Sequence, residues 1–345
     1  MNNNFLILNS EVLYSKFNIV ARIPLSTLLM FCLNIESTDP CFNLAVEEYL
    51  LKKSKEEYLI LGINNPAVII GKHQVAHREA DTKFVREHDI PVIRRISGGG
   101  TVFHDNGNLN FSFISQSIQG RQVDFRKYTL PVIGFLASTG VNAKFEGKND
   151  LKVNGLKISG NAEHVHRERV LHHGTLLFNT CIDDMRSSLR KDTSKYTTRA
   201  VRSNPSSVIN LKEIIGKVKD INEFRSELFG FFLNYQAGNK AATLTPGEIS
   251  EVKSLAESKY RTWEWNYAYG PEYLFNNNFL IHGKNHSCRL FVRDGIVWDC
   301  EIEGSDEMAI AGKKLIGCRH MAADLQKALR DANILISESD IYNFF

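Results

Sequence analysis

Residues 94–111, RRISGGGTVFHDNGNLNF, set three consecutive glycines behind two arginines and in front of a run that turns apolar again. Adjacent glycines reach φ values that other residues avoid, and they let a ligand approach bare backbone. Arginines beside them point to an anion. The preceding IPVIRRI reads as a strand that delivers Arg94 and Arg95 to the glycines. Asn106-Gly107 is a hairpin signal, because both central residues of a type I′ turn need φ > 0. It predicts that TVFH pairs with LNFSFI. In the second of these runs Leu109, Phe111 and Phe113 alternate with Asn110 and Ser112, the pattern of a sheet with one buried face. A second Asn-Gly, at Asn154-Gly155, predicts a hairpin of DLKV with LKIS, and HHGTLLF reads as one more strand. YLILGI and AVIIG read as two strands joined by a turn at Asn64-Asn65-Pro66. The region is committed to a mixed sheet with helices against it.

Those helices are legible from caps and spacing. DPCFNLAVEEYLLKK has Asp39 as a cap, Pro40 in the first turn, and Phe42, Val46, Tyr49 and Leu50 on one face. DTKFVREH reads as a short helix. From about 182 to 236 the pattern reads as helical, with INEFRSELFGFFLNY its clearest part. TPGEISEVKSLAESKY opens with Thr245, Pro246 and Glu248, a capping box. Beyond WEWNYAYGPEY the chain reads as a hairpin about Asp294-Gly295 and a helical KKLIGCRHMAADLQKALRDA. These divisions predict three segments: an extension over 1–29, a main domain over 30–245, and a linker helix with a small domain over 246–345. The first 29 residues lack the charged start and unbroken apolar core of a secretory signal. They are read as a disordered or wrongly assigned extension with no catalytic role.

At 345 residues with 43% hydrophobic and 23% charged content, the chain has the balance of a globular protein. A net charge of +3 is too mild for a nucleic-acid binder. No apolar run is long enough to span a bilayer. Six cysteines without a CxxC pair favour a reducing compartment over a disulfide framework.

Three constellations bear chemistry. Successive N–H groups in a Gly-rich turn form an anion-binding concavity, and a tight β-bulge is the alternative. Lys157 falls on a strand just after the second Asn-Gly, with Asp150 at the start of the partner strand. A strand-borne lysine can steady charge on a phosphate and a carboxylate together, and the Asp can hold Mg²⁺ or a ribose hydroxyl. His164, His166, His172 and His173 cluster, but no cysteine or second acid lies at metal-ligand spacing. Cys181 is read as an inert buried thiol.

Taken together, RRISGGGTVFHDNGNLNFSFI, GKNDLKV, GLKISGNA and HHGTLLFN, with the earlier DPCFNLAVEEYLL and PAVIIGKHQ, resemble the lipoate–protein ligase A and lipoyltransferase family from about Met30 to the C-terminus. The resemblance implies an α/β (α+β) fold: a biotin-ligase-like mixed β-sheet domain with packed helices, plus a small C-terminal α/β accessory domain. It implies activation of lipoate with ATP and Mg²⁺ to lipoyl-AMP, then transfer to a lysine of a carrier. The carriers implied are lipoyl domains of 2-oxoacid dehydrogenase E2 subunits and the glycine-cleavage H protein, with no nucleic acid or membrane partner. The compartment implied is the cytoplasm, or the mitochondrion in a eukaryote. Arg95, Gly100, Thr101, Val102 and Phe103 would contact the adenylate, with Asp150 beside it. Lys157 would touch both nucleotide and lipoate and be the catalytic residue. Gly99 and His173 would complete the lipoate site, whose slot is expected to be apolar, with Val46 a further candidate. A transferase that uses preformed lipoyl-AMP, an octanoyl or lipoyl transferase, and a non-catalytic lipoate- or nucleotide-binding module are the alternatives.

Overall fold

The computed structural model describes residues 29–117 and 123–345, so the reading of the first segment lies outside the described residues except at Leu29. The chain runs β1 (Met30–Ile35), α1 (Pro40–Lys53), β2 (Glu57–Ile63), β3 (Ala67–Ile70), α2 (Ala76–Glu79), α3 (Thr82–Glu87), β4 (Val92–Arg94), β5 (Val102–His104), β6 (Asn108–Gln116) and α4 (Phe125–Ser138). It continues through β7 (Lys144–Glu146), β8 (Asp150–Val153), β9 (Leu156–His166), β10 (Arg169–Leu177), α5 (Ile182–Ser188), β11 (Tyr196–Thr197), α6 (Ile221–Tyr235), β12 (Lys240–Ala242) and α7 (Pro246–Leu255). The last part holds β13 (Tyr273–Ile281), β14 (Lys284–Arg293), β15 (Ile296–Glu303), α8 (Asp306–Leu315) and α9 (Ala322–Asp331).

Eight strands form one mixed sheet in the order β12-β1-β2-β6-β10-β9-β8-β7. Its two faces carry separate cores because alternate side chains point opposite ways. Leu59, Leu61, Phe111 and Phe113 meet α4 and α6 through Tyr128, Val132, Leu136, Phe224, Leu228 and Phe232. Leu33, Ile60, Ile114 and Leu171 meet α1 and α7 through Leu44, Leu50, Leu51 and Val252. A three-stranded sheet, β4-β3-β5, packs with α2 and α3, and a four-stranded sheet, β11-β13-β14-β15, packs with α8 and α9.

Both predicted caps of the long helices hold: Asp39 accepts from Cys41 N, and Thr245 and Glu248 form a reciprocal capping box. Asn154 and Gly155 have φ of 50° and 79°, and β8 pairs with β9 across them. Asp294 and Gly295 turn β14 into β15 in the same way.

The first Asn-Gly does not make a hairpin. β5 pairs with β3 and β6 pairs with β2 and β10, so the turn passes between two sheets. Neither Asn106 nor Gly107 has positive φ. Asp105 shapes the turn instead, its carboxylate accepting from Gly107 N at 3.0 Å and from Cys181 N at 2.7 Å. Gly107 is needed for contact, not conformation: a Cβ there would lie 2.0 Å from the Asn179 carbonyl oxygen. β2 and β3 likewise part into different sheets after their turn.

The helical reading of 182–236 holds for α5 and α6 only. Between them the chain has a two-residue strand, an extended stretch and one 3₁₀ turn at Leu211–Glu213. Ser, Asn and Pro in VRSNPSS break the apolar period there. The terminal helical run is likewise split, with residues 316–321 outside α8 and α9.

Gly107→Ala is expected to lower stability by roughly 2 kcal/mol or more, since backbone meets the new methyl. Gly155→Ala, strained at φ 79° but in open space, is expected to cost only about 1 kcal/mol. Urea unfolding of the two variants checks the order.

Candidate active site

Because β5 leaves β6, the small sheet and the large sheet diverge, and a cavity of about 170 Å³ opens between them. The glycine bend, between β4 and β5, forms one part of its wall. β9 and β10 form another, α1 a third, and residues 202–206 a fourth.

Arg95 makes the bend. Its guanidinium is buried and donates to the carbonyls of Gly98 at 2.6 Å, Gly100 at 2.7 Å and Ile69 at 3.1 Å, with Nε on Ser97 Oγ at 2.9 Å. Gly99 has φ of 84°, and the carbonyl of Gly99 lies so close to Gly71 that a Cβ on Gly71 would sit 2.2 Å from it. With two carbonyls of the bend turned to Arg95, the amides of Gly98, Gly99 and Gly100 donate to no group among the described residues. Three successive unpaired amides form a nest for an anion. Burial pushes the Arg95 guanidinium down to about 10, against the pull of Glu47, and it stays charged.

Lys157 enters the same cavity from β9. Its Nζ lies 2.9 Å from Asp150 Oδ1 across the hairpin. A Cβ on Gly160 would lie 3.1 Å from that Nζ, so the bare Gly160 is what lets the lysine lie along its own strand. Residues 201–209 hold the mouth. Lys157 N donates to Ser207 O at 2.9 Å, and Ile209 N donates to Lys157 O at 3.1 Å. Ser203 Oγ accepts from Thr101 N at 2.8 Å and Gln74 Nε2 at 3.0 Å and donates to Glu79.

The apolar part of the same cavity, a slot, is lined by Ile35, Leu44, Ile60, Ile69, Val102 and Ala162. The cavity is not wholly apolar: Glu47, Asn43, Asn64, His104, Asn110 and Ser112 also line it. Glu47 is 8% exposed and accepts from Ser112 Oγ at 2.5 Å, and its other oxygen meets His173 Nδ1 at 2.9 Å. His173 Nε2 meets Ser97 Oγ at 2.6 Å, which links this chain of bonds to Arg95. Asn110 and Ser112, the polar alternates of β6, therefore face the cavity and not solvent.

Of the residues singled out in the sequence, Arg95, Gly100, Thr101, Val102, Asp150, Lys157 and His173 line this one cavity. Gly99 shapes the bend without lining it. Phe103 points the other way, into the small-sheet core, and Val46, on α1, is fully buried in the core between that helix and the large sheet. Cys181 is exposed, not buried. Among the described residues no group of three or more His, Cys, Asp or Glu side chains is placed to hold a metal. Missed were Glu47, Asn43, Asn64, His104, Asn149, Asn161 and Arg202–Ser206. The one available signal for the last group was Pro205 among Ser and Asn, a loop composition.

Three comparisons bear on what such a cavity does. The model of the lipoyl protein ligase A/B catalytic domain matches residues 39–233. Lipoate–protein ligase 1 of Staphylococcus aureus is 34% identical over 323 residues, covering 92% of this chain and 96% of that protein. A bipartite lipoate protein ligase of Thermoplasma acidophilum, described with its E2 lipoyl domain, superposes with a TM-score of 0.60 at 26% identity, over 69% of this chain and 96% of that one. A lipoate-protein ligase A bound with ATP gives a TM-score of 0.58 at 25% identity, over 69% and 98%.

The buried histidines set a pH dependence. His104 is pushed down to about 3 by burial, then by Arg95 and His173; His164 and His320 are pushed down to about 4, chiefly by burial. Their folded pKa values lie below the ordinary unfolded value near 6.5, so the unfolded chain binds more protons in between. Stability is full above about pH 6.5 and falls as pH drops toward 4, by about 2 kcal/mol at pH 5 for each fully buried histidine. Asp105, raised by burial, opposes this in part. Thermal midpoints measured from pH 7 to 4.5 should decline steadily, and a flat profile contradicts neutral buried imidazoles.

Proposed function

The chain belongs to the lipoyl protein ligase A/B catalytic family, and from that premise we propose that it is a lipoate–protein ligase that joins lipoate to ATP and passes the lipoyl group to a carrier lysine. One observation carries the reading. A single cavity is lined by Gly100 of the glycine bend, by the ion-paired Lys157 and by the apolar Ile35, Leu44, Ile60 and Ile69.

In the first step a carboxylate oxygen of lipoate attacks the α-phosphorus of ATP. The bond to the leaving pyrophosphate breaks and lipoyl-AMP forms. Both reactants are anions, so the barrier is largely one of bringing like charges together in line. Lys157 stands where its ammonium meets both, and Asp150 fixes its direction. The glycine amides take the oxygen charge that builds at phosphorus. In the second step the acceptor amine attacks the acyl carbon, loses a proton and expels AMP. Arg95 acts on the bend and not directly on ligand, since four of its N–H groups are already bonded. Thr101 and Val102 wall the nucleotide end, and His173 and Glu47 brace the floor.

Mg²⁺ binds through one or two carboxylates with substrate phosphates. Asp150 is the cavity acid that fits this, and the ion would neutralise phosphate charge there. Residues 30–245 carry this chemistry, with 246–345 an accessory unit. The acceptor is a lipoyl domain, supported by the archaeal ligase described with its E2 lipoyl domain; the glycine-cleavage H protein has the same chemistry to offer. Six free cysteines are in keeping with a cytoplasmic setting.

Lys157→Ala is expected to slow lipoyl-AMP formation by about 10²–10³-fold, the range for removing one charge-stabilising donor. Labelled ATP with lipoate and no acceptor measures this. If the wild type forms no adenylate yet uses added lipoyl-AMP, it is a transferase only. If Lys157→Ala leaves turnover unchanged, the proposed role of Lys157 fails.

A further inference from the structure

The polar side of the acyl slot has no role in gripping a plain hydrocarbon chain. Its hydrogen bonds run in one direction from a fixed anchor. Asn43 Nδ2 donates to the Ser37 backbone carbonyl at 2.8 Å, which settles how the Asn43 amide is turned. The same Nδ2 donates to Asn64 Oδ1 at 2.6 Å, which settles Asn64 in turn. Asn64 Nδ2 then donates to His104 Nδ1 at 2.8 Å. His104 Nδ1 is therefore an acceptor, and the proton of the neutral ring sits on Nε2. His104 is 7% exposed and lines the cavity, and among the described residues its Nε2 has no partner. Burial, then Arg95 and His173, keep the ring neutral down to about pH 3. Asn110 Nδ2, in the same wall, is a fully enclosed donor without an acceptor, whereas His104 Nε2 opens to the cavity. A donor placed there loses its water when a ligand fills the cavity, and it carries the cost of desolvation unless the ligand accepts from it.

The spacing along β5 says what that acceptor is. Val102 and His104 lie on the same side of β5, about 7 Å apart. Val102 packs beside Gly160, where Lys157 lies, its Cγ1 3.8 Å from the position of a Gly160 Cβ. His104 therefore lies two residues along β5, about 7 Å, from the Val102 that adjoins Lys157, close to the span from the carboxyl carbon of extended lipoate to its dithiolane ring.

We propose that His104 is a specificity-determining residue whose Nε2–H donates to an acceptor atom on the distal part of the bound acid, a dithiolane sulfur in lipoate, and so selects such acids over plain alkanoates. This rests on the acyl-adenylating function proposed above. A site built around a donor rejects the analogue that leaves it unpaired. Sulfur is a weak acceptor, so the effect is that of one ordinary neutral hydrogen bond, about five- to tenfold.

The test is calorimetric titration with lipoate, octanoate, and the carbocyclic isostere of lipoate in which methylenes replace both sulfurs. The wild type should bind lipoate about five- to tenfold tighter than the isostere. His104→Phe should bring the two within about twofold, chiefly by weakening lipoate. His104→Gln, with an amide N–H in place of Nε2–H, should recover most of the preference. Equal affinity for lipoate and isostere in the wild type overturns the proposal, whether or not a variant folds. So does an unchanged preference in His104→Phe. Adenylate formation, assayed separately with labelled ATP, tests the underlying function, so loss of one result leaves the other readable.

Discussion

Two adjacent guanidinium groups, neither in an ion pair among the described residues, hold this structure in its working shape. Arg95 turns the carbonyls of the glycine bend inward and leaves its amides free. Arg94, fully buried, donates to the carbonyls of Gly71, Lys72 and Gln74 on one side and of Trp265 and Asn266 on the other. A buried charge is tolerated when every donor has an acceptor, and removing part of such a set is costly. Lysine offers neither the planarity nor the number of donors for either task. One arginine thus shapes the anion nest, and its neighbour ties the loop beneath that nest to the π-helical segment leading to the C-terminal sheet.

The second constraint is a parting of strands. β5 and β6 are separated by three residues yet belong to different sheets. That divergence is what creates room for a ligand between them. It also explains the alternation in β6. Both faces of this strand are covered, one by aromatic core and the other in part by the cavity, so Asn110 and Ser112 face the cavity and not bulk solvent. The chain of bonds through Glu47, His173, Ser97 and Arg95 joins slot and bend, and packing on either side fixes it.

Much of this was legible in the sequence because it rests on local rules. Asn154-Gly155 turns where its positive φ values are needed, and the caps at Asp39 and Thr245 form as their residue types predict. Lys157 and Asp150 could be brought together because a two-residue turn fixes the register of their strands. Asn106-Gly107 carries the same dipeptide, but its conformation is set by Asp105 and by the approach of Asn179, both tertiary. The extended 198–207 segment escaped notice because it borrows its order from Thr101, Gln74, Glu79 and Lys157. Glu47 and His104 were hidden for a related reason. A carboxylate on a helix and a histidine at a strand end have no local signature of a site until the fold sets them around one cavity.

The central claim is that free glycine amides and the Lys157 ammonium hold a mixed acyl–phosphate anhydride between them. A crystal structure with a non-hydrolysable lipoyl-adenylate analogue tests it most directly. The account predicts the phosphate-replacing oxygens within hydrogen-bonding distance of the Gly98–Gly100 amides, Lys157 Nζ on the acyl and phosphoryl oxygens together, and the ring against His104. An analogue bound elsewhere, or bound here with Lys157 still facing only Asp150 and the glycine amides untouched, would contradict it.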